Sequence, residues 1–465
     1  MSRWEKCEDV VDGEATVKRK GETYLPRPAR MDQDEYSSYK QRAEFFNAAS
    51  RTLDGLHGMI FSKNPIVNID DSLFSWTKNV DGTGKDIKTF INEVTKETLK
   101  LGFGGILLDS PSSENAISLS DAESQNIFPY FSYYKPQAIL DIQTQVIGRQ
   151  RVFSMIKLEE WRDVQTDSEF VSKSEKIIRV LSLDENGYYK QRVFDEKGTL
   201  EKEVFPQKNG QNMTFIPFYP IPSDAPQKPI LEDLIDVNLA WYRKSADIEN
   251  GAHWTGVPTP IVIGLDQVVE YNSEGKEVQK DPISLGGSKF VIFPQGVTHV
   301  GYLEFSGSGL NQLASLMDRD EERMAILGAR IISSEKKGVE SAEAAEIHRT
   351  GENSVLSSFA NMMSAVFTRA FIDYLSWCTG IEKEKLEDVS IQLNTDYNVS
   401  KMDSSQITAL VSCWQSGGIS KRVMFNNFKK GELIPNEMSL EEMQEEIDME
   451  KESQLKASQG IEYGI

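Results

Sequence analysis

The sequence predicts an α+β chain, mainly helical, built from more than one packed unit. At 465 residues it exceeds the roughly 250 to 300 residues at which a single hydrophobic core stops growing. Apolar residues recur at three- and four-residue spacing over most of its length, the period of amphipathic helices. Two stretches, 148–219 and about 255–305, switch instead to short β-rich runs divided by Gly, Asn and Asp turns.

Tyr24 to Pro28 (YLPRP) reads as extended, because each proline fixes its own φ and pushes the preceding residue out of the helical region. One helical period then runs from Asp32 to Pro65 through Tyr36, Tyr39, Ala43, Phe46, Leu53, Leu56 and Ile60. Asp86 to Leu101 repeats it through Ile87, Phe90 and Val94, with Gly102 as a stop. GGILLD, 104–109, has the continuous apolar character of a buried strand. KIIRVLSL, YYKQRVF and TLEKEVF are separated by Asp184-Glu-Asn-Gly187 and Asp195-Glu-Lys-Gly198, the pattern of an antiparallel meander. Prolines at 217, 220, 222, 226 and 229 mark a boundary.

Helical spacing returns at Pro229 with Leu231, Leu234, Ile235, Trp241, Tyr242 and Ile248, while Asp233, Arg243, Lys244 and Asp247 fall elsewhere on the helix. It must end near Gly251 to Pro258. The strand-like runs TPIVIG, VVEY, KFVIF and THVGYLEF follow. A second helix is expected from about Leu310 to Ile331, with Asp318, Arg319, Asp320, Glu321, Glu322 and Arg323 beside its apolar stripe. The polar stretch Ser333 to Ser341 interrupts it. A long helix resumes at Ala342 and closes at Gly380 after Tyr374 and Trp377. From Ser404 the chain is again helical, broken at Gly417 to Ser420 and finishing in an acidic run. There is no internal repeat of fixed period.

Charge and motif narrow the function. Seventy-two acidic against 51 basic side chains give a net charge of −21, which disfavours tight wrapping of nucleic acid by phosphate neutralisation. Cys7, Cys378 and Cys413 are odd in number and far apart, which suits a reducing compartment. Histidines 57, 253, 299 and 348 lack partners at zinc-ligand spacing. No apolar run approaching the ~20 residues of a membrane span is read, and the first residues lack the apolar core of a signal peptide; a cytoplasmic site of assembly is expected.

Gly82-Thr-Gly-Lys85 fails as a phosphate loop, with Asn79 in place of the first glycine and Asp86 in place of the hydroxyl residue. Gly102-Phe-Gly-Gly105 leads from helix to strand, the reverse of a dinucleotide fingerprint. The carboxylates at 318–322 alternate with Arg319 and Arg323, as on a solvated or inter-subunit ion-pair face. His253 reads as a helix-end residue, and no nucleophile elbow exists. No catalytic, cofactor-binding or metal-ligating residue is expected, and the chain is not expected to be an enzyme.

Several strings together resemble a known family. They are YLPRP with the following YSSYKQRAEFFNAASRTLDGLHGMIFSKNP, then NLAWYRKSADIENGAHWTGVPTPIVIG, VGYLEFSGSGL, and MAILGARI with the later AAEIHRTGENSVL. Over about residues 20 to 440 the chain resembles the portal proteins of tailed bacteriophages, in a portal-like family catalogued mainly as a domain of unknown function. The resemblance implies a wing at 1–228, a first stem helix at 229–254, a small α/β clip at 255–305 and a second stem helix at 306–332. It further implies a tunnel-loop region at 333–352, a long wing helix and return at 353–403, and a short helical crown with an acidic tail at 404–465.

It also implies a homo-dodecameric ring at the capsid vertex of the virion, through which double-stranded DNA is packaged and ejected without sequence recognition. Partners would be the large terminase, the major capsid protein, a scaffolding protein and a head-completion or tail adaptor protein, with no membrane and no cofactor. The channel candidates are Lys336 and Lys337 in the tunnel loop, Asp318, Glu321 and Glu322 on the second stem helix, and Arg243 and Lys244 on the first. Another virion structural protein, such as a capsid or tail-adaptor subunit, is the alternative; a metal-dependent hydrolase is a more distant one.

Overall fold

A computed structural model describes residues 2–111, 128–164, 173–222, 226–255, 259–263, 270–271, 274, 277–278, 299–303, 308–328, 342–395, 397, 404–430, 434 and 438–449. The chain divides into two compact units, Met1–Thr395 and Asp396–Ile465. The fold is α+β and mainly helical, as the periodicities predict.

The first unit opens with two helices that the sequence reading did not anticipate, α1 (Arg3–Asp12) and α2 (Glu14–Lys20). Ser2 caps α1 by accepting from the Glu5 amide at 3.1 Å. The single helical period read across 32–65 is two helices, α3 (Gln33–Arg42) and α4 (Ala48–Ile60). The break is built by capping. Asp32 and Glu35 form a reciprocal capping box at the start of α3. Ala43 then turns out of the helix, and Asn47 accepts from the Ser50 amide to start α4. Periodicity alone cannot see such a break, because the apolar spacing happens to carry across it.

Strand β1 (Ile66–Asn68) is followed by α5 (Ile87–Leu101), capped by Asp86 and closed by Gly102 in the left-handed region at φ 70°. Then come β2 (Gly104–Asp109) and β3 (Tyr130–Tyr134). The meander is β4 (Ile139–Ile147), β5 (Gln150–Val164), β6 (Lys173–Leu183), β7 (Tyr189–Phe194) and β8 (Leu200–Val204). Its strands pair antiparallel in sequence order, and Asp184 and Asp195 each tie their turn by accepting backbone amides two and four residues on. The small pair β9 (Gln207–Lys208) and β10 (Gln211–Asn212) precedes β11 (Phe218–Ile221). β2 is the centre of a separate three-stranded sheet, in the order β11-β2-β3, and is buried along its whole length.

The remaining elements of this unit are α6 (Glu232–Thr255), β12 (Thr259–Ile263), β13 (Glu270–Tyr271), β14 (Glu277–Val278), β15 (His299–Leu303), α7 (Ser308–Ile326), α8 (Ala342–Thr379) and β16 (Ser390–Gln392). β16 returns to pair with β1. The expected KFVIF strand and the 333–341 loop lie outside the described residues. α8 lies against the three-stranded sheet: Tyr374 stands 5.1 Å from Phe131, which in turn stacks on Phe90 at 5.4 Å. Tyr374 and Trp377 are core residues of this unit.

The segment Val355–Thr379 is apolar enough, by length and composition, to cross a membrane, which corrects the reading that no such run exists. Its apolarity has an internal use: Leu356, Ala360, Met363, Phe367, Ala370, Phe371 and Leu375 are buried in the unit. Among the cysteines, Cys7 and Cys378 are buried, and burial pushes each thiol up to about 12.

In the second unit, α9 (Ser404–Gln415) and α10 (Lys421–Lys430) are joined across Gly417 at φ 79°, as the GGIS break predicts. Among its described residues, Met424 and Phe425 are buried. A further helix at 440–449 opens with a reciprocal Ser439–Glu442 cap.

The glycines of β2 are forced by contact. A Cβ on Gly105 would sit 2.1 Å from Cζ of Phe218, a ring that is itself 2% exposed. Gly105→Ala should therefore cost about 1–3 kcal/mol through overpacking, read as a lower urea midpoint with an unchanged denaturant slope.

Candidate functional site

α6 and α7 form a helical pair, and β12 and β15 form a strand ladder. Trp241 Nε1 on α6 donates to Glu321 on α7 at 3.1 Å, Lys244 pairs with Asp320, and Gly251 lies against Leu310. Rising numbers on one helix meet falling numbers on the other, so the pair is antiparallel. β12 and β15 continue that register, from Thr259 opposite Leu303 to Ile263 opposite His299. Between Trp241 and Ile263 the outgoing arm advances 22 residues, and between Glu321 and His299 the returning arm falls back 22. The two arms thus run antiparallel over similar lengths of chain.

α6 is fixed along the N-terminal helices by polar contacts. Asn238, fully buried, donates to the Phe46 carbonyl at 2.7 Å and accepts from the Ala49 amide at 3.3 Å. Ser245, 1% exposed, accepts from the Glu44 amide at 2.9 Å and donates to the Glu44 carbonyl at 2.7 Å. Tyr39 donates to Asp247 at 2.6 Å; burial first, and then that carboxylate, raise its phenol. Arg3 pairs with Glu232 at 2.9 Å and Lys6 with Asp236 at 2.6 Å. Phe45 meets Tyr242 edge-on at 5.7 Å.

The sequence-derived candidates have different fates. Arg243 spends its Nε–H on the Tyr24 carbonyl at 2.9 Å. Lys244 neutralises Asp320, which is 2% exposed, and Arg323 approaches the same carboxylate at 3.7 Å. Glu321 accepts from Trp241. Asp318 and Glu322 are exposed on the opposite face of α7 with Arg319 and Arg323 beside them, so that face is balanced in charge rather than acidic. Lys336 and Lys337 lie outside the described residues. The sequence reading missed that Asp320 is the buried member of its cluster; Asp320 lies four residues before Met324 and seven after Leu313, on the apolar stripe itself, which was the available signal.

It also missed a polar cluster between the two main sheets. Asp109, at the end of the apolar GGILLD strand, accepts from Arg179 at 2.7 Å and from Gln191 at 2.8 Å. Arg179 also donates to Glu160 at 3.0 Å, and Tyr134 donates to Glu160 at 2.5 Å. Burial alone would lower the Arg179 guanidinium, but Asp109 and Glu160 outweigh it and hold it charged. These groups satisfy one another along a cleft of about 590 Å³, also lined by Glu8, Tyr133, Lys135 and Trp161. The cluster ties sheet to sheet. Among the described residues no group of three or more His, Cys, Asp or Glu side chains is placed to hold a metal ion.

Comparison with known proteins places this hairpin in context. Residues 230–378 match a family model described as a domain of unknown function, DUF4055. The match begins two residues before α6 and ends one residue before the end of α8. No curated protein matches. Among solved structures, the chain aligns with one described as the neck of a native GTA particle computed with C12 symmetry, at 9% identity and a TM-score of 0.36, covering 88% of this chain and 95% of the other. It aligns with another, the neck of an empty GTA particle computed with C6 symmetry, at 10% identity and a TM-score of 0.36, covering 88% and 96%. At that score neither alignment bears on the argument.

The Lys244–Asp320 pair gives the site a measurable signature. Removing one partner strands a buried charge, whereas replacing both by apolar groups of similar volume avoids it. Lys244→Ala should cost about 3 kcal/mol in equilibrium denaturation, and the double variant Lys244→Met, Asp320→Leu should recover most of that loss.

Proposed function

We propose that the chain is a subunit of the portal ring of a tailed bacteriophage, a structural conduit for double-stranded DNA rather than an enzyme. The observation that supports it most is the order of elements: a body-anchored helix, a β excursion, an antiparallel return helix, then a polar stretch and a 38-residue helix. That is the order of stem, clip, stem, tunnel loop and wing helix in the family that the sequence resembles. In this reading the β12–β15 ladder belongs to the clip, where the terminase and later a head-completion or tail adaptor protein dock. The body contacts capsid and scaffolding proteins, and residues 404–465 form a short crown.

The charge fits passage rather than capture. At −21 per chain, a ring of about twelve carries a charge on the order of −250, which limits the cooperative phosphate contacts that make binding tight and salt-dependent. Lys336 and Lys337 are the phosphate contacts of this proposal, touching backbone without reading sequence. Arg243 and Lys244 are committed to partners within the chain, and Glu321 to Trp241. The balance of Arg319 and Arg323 against Asp318 and Glu322 favours a neighbouring subunit over the bore as the surface that α7 faces.

The native mass of the purified assembly, with electron-microscopic class averages, tests the reading. A closed ring of about twelve copies around a channel wide enough for duplex DNA, ~20 Å across, is the expected result. A helical tube or a closed shell would move the assignment to a tail or capsid subunit, and metal-dependent cleavage of nucleic acid would move it to a hydrolase. Within the ring, Lys336→Glu with Lys337→Glu should assemble normally and reduce DNA packaging; wild-type packaging by that variant would remove the phosphate-contact role.

A further inference from the structure

The exposed face of α7 carries two like-charged pairs. Asp318 and Glu322 are like-charged neighbours one turn apart, and so are Arg319 and Arg323. Such i,i+4 pairs repel, where an alternation of sign would attract. At ~100° per residue the acidic and basic rows run side by side along the two flanks of one face. All four residues are exposed. Among the described residues no ion pair engages Asp318, Arg319 or Glu322, and Arg323 only approaches Asp320, at 3.7 Å, with its side chain 56% exposed. One turn beyond Glu322 the same face carries Ile326, 57% exposed. Repulsion within each row, the lack of an ion pair for Asp318, Arg319 and Glu322 among the described residues, and an apolar side chain at the end of the face together describe a surface that a partner can complete.

We propose that this face is the contact between adjacent copies of the chain, the Asp318/Glu322 row of one copy lying on the Arg319/Arg323 row of the next, with Ile326 at the end of the contact. The proposal rests on the ring reading above and specifies its interface. A head-to-tail ring requires two different, mutually complementary surfaces on every copy. α7 supplies both from one helix, so a single sequence closes the ring. Opposed rows also set register and suppress wrong partners, because a copy shifted so that like rows meet is repelled.

Two double variants test this: Asp318→Lys with Glu322→Lys, whose two rows are both basic, and Arg319→Glu with Arg323→Glu, whose rows are both acidic. Assembly is followed by native mass against protein concentration, and each variant's fold by circular dichroism. Each variant alone should need at least about tenfold more protein than the wild type to form rings. An equimolar mixture should form mixed rings again at close to wild-type concentration, since acidic rows then meet basic ones. The mixture also guards against misfolding, because Arg323→Glu sets a carboxylate near buried Asp320 and a misfolded variant is not rescued by mixing. Rings indifferent to both variants, or a mixture no better than its parts, would overturn the interface and leave the ring reading standing. A wild-type chain that stays monomeric at every concentration would overturn both.

Discussion

The hairpin is held to the body through α6, and α6 is held by polar groups that have no water to fall back on. Asn238 and Ser245 are almost completely buried, and they bridge to the backbone between α3 and α4, at Glu44 and Phe46, and to the first turn of α4, at Ala49. That backbone is available only because the helical run of 33–60 is interrupted there; an unbroken helix would have spent those amides and carbonyls on itself. Leaving such groups unpaired in the interior costs more than a formed bond gains. The break between α3 and α4 and the seating of α6 are thus one feature, and the direction in which the hairpin leaves the body follows from it.

The long elements were legible in the sequence because they are made by local rules. α5 begins at an aspartate cap and ends at a left-handed glycine, and both residues were visible as letters. The meander turns carry aspartates whose side chains accept the amides ahead of them, which is chemistry within five residues. The long α8 and its stop at Gly380 were legible for the same reason. What stayed hidden depends on partners distant in the chain. α1 and α2 have a mixed polar composition; α1 is buried by packing against α4, α5 and α6, and α2 packs on α1, which no local period announces. The α3–α4 break was masked by apolar spacing that continues through it.

The site was legible in outline and not in role. The order helix, strands, helix could be read from the sequence, and so could the charge-dense stretch 318–323. Which charge finds which partner could not. Asp320 is buried on Lys244 from the opposite helix, while Asp318, two positions away, faces solvent. The two differ by about 200° around the helix axis, which sets Asp320 on the apolar stripe and Asp318 off it, but the Lys244 partner comes from the opposite helix and no local spacing announces it. Asp109 was hidden differently, as the polar last residue of an apolar strand whose partners Arg179 and Gln191 arrive from another sheet.

The contacts between the two hairpin arms limit how the chain can vary. One extra residue in α6 would turn everything beyond it by about 100°, taking Gly251 away from Leu310, and one extra residue in β12 would send its side chains to the other side of the ladder. Neither error heals locally, because each arm is in register only with the other. Length changes in this region should therefore be tolerated best within the excursion between β12 and β15, outside the short β13–β14 pair. A collection of related chains should differ most in length at the tip of the excursion and least in the spacing from Trp241 to Ile263.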